Sequence, residues 1–151
     1  MSEKAKVLDQ LRAEKAALAN SGFDPEEVRS EWLSELRRLF KTFRTWTKDA
    51  KRQGLLEIRN ESVHLEEERL GGYDAPALRI ASPRVAIRIV PRARNVIGAL
   101  GRVDFETPSE RLILIRSDSN TWKFARLVGH RWETTELTEG TFWNVLGSLL
   151  Q

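Results

Sequence analysis

From residue 3 to residue 54 apolar side chains recur every three or four positions, and beyond that they alternate, so the chain reads as helices followed by a sheet. Residues 3–19 predict a first helix with Val7, Leu8, Leu11 and Leu18 as its apolar positions. Its stripe thins at Glu14 and Lys15, which assigns the helix to the edge of the molecule, and Asn20-Ser21-Gly22 breaks it. The next start is well specified. Phe23 at N′, Asp24 as N-cap, Pro25 at N1, Glu27 at N3 and Val28 at N4 supply a cap, a capping-box-like acid and a hydrophobic staple. Val28, Trp32, Leu36, Leu39, Phe40, Phe43, Trp46 and Ala50 then define one face up to Gly54, a helix of about 28 residues and roughly 40 Å.

After Gly54 the period is two. Leu56–Ile58 and Val63–Glu66 predict a hairpin with Asn60 in its turn, followed by the Glu66-Glu67-Glu68 run and the Gly71-Gly72 break. Residues 77–80 and 85–89 predict two further strands separated by Ser82-Pro83. In the second, Val85, Ile87 and Ile89 share one face and Arg84, Ala86, Arg88, Val90 and Arg92 the other, while Pro91 marks a strand end, an edge or a bulge. An irregular connection over 93–101 leads to strands at 102–106, 111–116, 121–127 and 132–137. Their turns, at Pro108-Ser109, Asp118-Ser119-Asn120 and Gly129-His130, are too short for helical crossovers. Thr138 caps a terminal helix, with Leu137 and Phe142 as a second staple and Val145, Leu146, Leu149 and Leu150 continuing its apolar face.

The expected fold is a single α+β domain over 1–151. It comprises an N-terminal helical hairpin with one long amphipathic helix (1–54), a mainly antiparallel β-sheet of about six or seven strands (55–137) and a short C-terminal helix (138–151). A length of 151 residues suits one core. The absence of cysteine excludes a disulfide scaffold, a thiol nucleophile and cysteine-based metal sites. No apolar run approaches the roughly 20 residues that span a bilayer and the N-terminus is charged, so the expectation is a cytoplasmic protein with no transmembrane insertion.

Charge changes the picture more than composition does. The net +3 hides blocks: residues 37–52 and 79–102 each carry +6, whereas residues 53–78 carry −4. In the first basic block Lys41, Arg44 and Lys48 lie on the long helix, with acids at its N-terminal half, as the helix dipole favours. The second holds Arg79, Arg84, Arg88, Arg92, Arg94 and Arg102 and no acid. Arg84, Arg88 and Arg92 repeat every four residues, about 13 Å apart on a strand and close to two phosphate intervals of a single-stranded nucleic acid. Their forked donors suit phosphate, and an exposed Trp122 or Trp132 would stack on an unpaired base. The same arginines also have intramolecular candidates in Glu57, Glu61, Glu66, Glu67, Glu68, Asp104 and Glu106.

Catalytic constellations are thin. His64 with Glu57, Glu66 or Glu68, and Asp104 and Glu106 with Lys123, are the nearest approaches to an acid–base or metal-dependent hydrolase site. Neither has a metal-ligand spacing, and the chain carries no Gly-x-Ser-x-Gly elbow. Gly98 and Gly101 match neither a dinucleotide fingerprint nor a phosphate loop, so no cofactor, metal set or catalytic residue is assigned. The first expectation is a small non-enzymatic protein that binds single-stranded or structured nucleic acid, or another polyanion, through these arginines. The second is a protein-interaction adaptor or homodimer with complementary acidic and basic surfaces, and a metal-dependent hydrolase stands third.

Overall fold

The computed structural model describes residues 2–20, 24–96, 99–118 and 121–151, with the backbone alone for residues 17–20. The break at residues 20–22, the Phe23 staple, Gly98 and the turn at Ser119-Asn120 therefore fall wholly or partly outside the described residues. The element order is α1 (Glu3–Asn20), α2 (Pro25–Trp46), α3 (Lys48–Arg52), β1 (Glu57–Glu67), β2 (Gly71–Ala81), β3 (Ala86–Ala93), β4 (Arg102–Glu106), β5 (Arg111–Asp118), β6 (Thr121–Val128), β7 (Arg131–Glu136) and α4 (Glu139–Leu149). All seven strands form one antiparallel meander in the order β1-β2-β3-β4-β5-β6-β7. Among the described residues no helix is long and apolar enough to cross a membrane.

α2 begins where its cap is written, with the Asp24 carboxylate accepting from Glu26 N at 3.0 Å. Its apolar face buries Trp32, Leu36, Leu39, Phe40 and Phe43 against the sheet residues Leu78, Ile80, Ile87, Ile89, Val103, Phe105 and Leu114. α4 docks on the same side. Phe142 stacks on Phe43 at 4.8 Å, and Phe105 meets both rings edge-on. Thr138 and Thr141 form the reciprocal cap of α4. A buried arginine ties α2 to the middle of the sheet: Arg116 of β5 is 1% exposed and its guanidinium grips both carboxylate oxygens of Glu31. That hydrogen bond holds the Glu31 carboxyl below its usual range despite partial burial.

Three local expectations are corrected. The single helix to residue 53 is broken at Thr47, whose buried hydroxyl donates to the Phe43 carbonyl at 2.8 Å, a back-bond that bends helices. Asn60 is not in a turn. β1 runs unbroken through it, opposite Leu78, and its side chain accepts from Arg44 of α2, a use of asparagine that a local reading cannot see. The turn lies instead at residues 68–70, and Gly71 opens β2 with a φ of 74°, a left-handed conformation that favours glycine. The described part of the α1 stripe does not pack, with Val7, Leu8 and Leu11 50%, 39% and 53% exposed, while the Leu18 side chain lies outside the described residues. Pro91, by contrast, sits at a β-bulge between β3 and β4, one of its expected places.

The β1–β2 ribbon outruns its neighbour. β2 pairs with β3 only from Leu78 to Ala81, and beyond that point the two strands are paired only to each other, where ribbons twist more strongly. The packed positions change parity there, from Leu78 and Ile80 to Tyr73 and Ala75. Tyr73 accepts from Trp32 Nε1 at 3.1 Å and donates to Glu67. Glu67 also accepts from the backbone N–H groups of Arg94 and Asn95 at 3.0 and 2.9 Å. Burial, then the neighbouring Glu67, push the Tyr73 phenol well above its ordinary value.

Candidate nucleic-acid interface

Both packed helices lie on one side of the sheet, so the positions of opposite parity form an open face. The register sets its rows. Arg79, Arg88, Glu106 and Arg111 are successive cross-strand neighbours, as are Asp104, Ile113, Ala125 and Thr134, and then Arg102, Ile115, Lys123 and Glu136. Trp132, two residues from Thr134 and opposite Leu127, shares this face and is 59% exposed. Arg79, Arg88, Arg92, Arg102 and Trp132 thus come together on one surface. With strands about 4.8 Å apart, Arg88 on β3 and Trp132 on β7 are separated by roughly 19 Å.

The arginines of this face divide by partner. Arg88 reaches Glu61 at 3.3 Å, and Arg92 bonds Asp104 at 3.2 Å and also Glu106. Arg102 binds Asp104 at 2.8 Å, and Arg111 lies 3.6 Å from Asp104. Asp104 is fully buried beneath these guanidiniums. Burial works against the charge of Arg92, but its bonds to Glu106 and Asp104 outweigh that and raise its pKa. Arg79 and Arg84 take no part in this network. With Arg88, Glu106, Ser109 and Leu149 they line a groove of about 530 Å³ at the end of the sheet where the β2–β3 and β4–β5 turns meet α4.

The remaining expected site residues lie elsewhere. Arg94 follows the β3 bulge; its backbone N–H joins the Glu67 cluster and its guanidinium bonds Asn95 at 3.3 Å. Lys41, Arg44 and Lys48 are exposed on α2 and α3. Arg44 reaches Asn60 of β1 at 3.3 Å, on the helix side of the sheet, so the β1 edge separates these bases from the open face. Trp122 is corrected outright. It is 8% exposed and stacked on Trp32 at 6.0 Å, leaving no free ring for a base. The signal was strand parity: Trp122 alternates with Phe124, whereas Trp132 alternates with Thr134 and Glu136. Parity also places Arg111, which lies outside the basic blocks of the sequence, on the face of Ile113 and Ile115.

The two catalytic comparisons resolve into ion pairs. Asp104 is buried under guanidiniums, and Glu106 pairs with Arg92 while lining the groove that holds Arg79, Arg84 and Arg88. His64 is exposed and bridges Glu66 at 2.7 Å and Asp74 at 2.9 Å, and those two hydrogen bonds raise its pKa. The acidic β1 and basic β3 segments are spatial neighbours, so part of their complementarity is satisfied within the chain, as in Arg88–Glu61. No known protein family matches the chain, and no curated protein or solved structure is significantly similar to it.

Proposed function

We propose that the open sheet face binds nucleic acid in single-stranded form, with Arg79, Arg84 and Arg88 on phosphates and Trp132 stacked on an unpaired base. The observation that carries this reading is the register, which gathers arginines from β2 to β5 and the exposed Trp132 on the face that neither α2 nor α4 covers. A sheet surface that carries arginines and an exposed indole offers a backbone-tracking electrostatic field and a stacking platform, which a single strand uses better than a duplex does. Arg79 and Arg84 contribute most because, among the described residues, neither is held in an ion pair, whereas Arg88 is shared with Glu61 and Glu106. Arg92 and Arg102 chiefly hold the face together through Asp104.

Fluorescence anisotropy with labelled single-stranded DNA, single-stranded RNA and duplex DNA tests this. Single strands are expected to bind tightest, with affinity falling as salt rises. The double variant Arg79→Gln, Arg84→Gln is expected to lose at least tenfold. Undiminished affinity in that variant would overturn the assignment, and a duplex preference unaffected by Trp132→Ala would remove the stacking role.

A further inference from the structure

The β6–β7 hairpin concentrates exposed apolar side chains: Leu127, Val128 and Trp132 are 55%, 44% and 59% exposed. β7 is also the last strand of the sheet, paired to β6 alone, so one row of its backbone N–H and C=O groups has no strand partner. Arg131-Trp132-Glu133-Thr134-Thr135-Glu136 has no proline, lysine or bulge, and its edge charges, Arg131, Glu133 and Glu136, are of both signs, so they choose a register rather than simply repel a second strand. The opposite edge, β1, is charged along its length with Glu57, Arg59, Glu61, His64 and Glu66.

We propose that a second copy of this chain pairs its β7 antiparallel to β7, with Trp132 facing its own counterpart across a two-fold axis. Such an axis stands perpendicular to the joined sheet and maps each face onto itself, so only residues of like parity can face one another. Centring the pair on Glu133 sets two carboxylates opposite each other, and centring it on Thr134 sets Trp132 against Glu136 of the second copy. Centring it on Trp132 places the two indoles side by side and Arg131 opposite Glu133 of the second copy, twice by symmetry. Aromatic pairs and opposite charges are the favourable cross-strand combinations. Because Leu127 is the β6 neighbour of Trp132, this register also lines up Leu127, Trp132 and their two counterparts in one apolar row, in contact edge to edge while the open face stays accessible. The short overlap makes a weak, concentration-dependent dimer. The pairing does not depend on nucleic acid.

The chain has no cysteine, so introduced thiols report the register without background. Opposed strand residues have Cα atoms about 4.5–5.5 Å apart, within disulfide reach. Mixing Arg131→Cys with an affinity-tagged Glu133→Cys under mild oxidation is expected to give a mixed disulfide faster than either variant links to itself. Trp132 and one Arg131–Glu133 pair survive in that mixed dimer. In light scattering across a concentration series the unmodified protein is expected to move toward twice the 17.4 kDa chain mass. Arg131→Glu should raise the dissociation constant at least tenfold. It lies on the helix side of β7, so loss of dimer with retained nucleic-acid affinity separates this proposal from the function proposed above. Preferential self-linking of Thr134→Cys, or a monomer mass at every concentration, would overturn it.

Discussion

At the residue scale the most constrained group is Asp104, a fully buried carboxylate under Arg92 and Arg102. Asp104→Asn keeps the shape and removes the charge, leaving crowded guanidiniums. Breaking a fully buried ion pair costs about 3–5 kcal/mol, but Arg92 and Arg102 are 39% and 32% exposed, so about 2 kcal/mol is expected. Chemical denaturation measures it, and an unchanged midpoint would mean that water already compensates these charges. His64 gives a pH signature. Its pKa is raised above 6.5 by Glu66 and then Asp74, so its contribution to stability is fully present below that value and is lost as pH rises through the elevated folded one. His64→Gln should remove this component of the stability slope above pH 6.5, and an identical slope in the variant would contradict the pairing.

At the element scale, fidelity to the sequence depended on whether the deciding contact was local. The Asp24 and Thr138 caps lie within a few residues of what they satisfy, and both helix starts were legible. The unbroken β1 was not, because Asn60 carries a turn signal that Arg44, sixteen positions away in the chain, overrides. Trp122 and Trp132 were distinguishable only by parity within their own strands. Which face stays open became legible only with the register. The docking of α2 depends on one further long-range contact: a Cβ at Gly101 would overlap the Trp32 ring, which also stacks on Trp122. Gly101→Ala therefore has to displace a fully buried indole and should cost about 1–3 kcal/mol, with a change in near-ultraviolet circular dichroism. A silent substitution would show that the β4 entry and α2 can separate without loss.

At the scale of the whole molecule, a net charge of +3 says little, because what matters for a polyanion is which cations remain uncompensated on one face. The ion pairs leave Arg79 and Arg84 as the cations of the groove that release the most counterions on binding, with Arg88 partly engaged by Glu61. For a single strand each neutralised phosphate contributes about 0.7 to the slope of log affinity against log salt. Arg79→Gln with Arg84→Gln should therefore reduce that slope by about 1.4. Arg92→Gln should change the slope much less and lower stability instead, since its charge is already spent on Asp104 and Glu106. The contrast between the two variants is the decisive quantity. Equal reductions would mean that the internal network opens to meet the ligand, and the division between structural and binding arginines would fall with it.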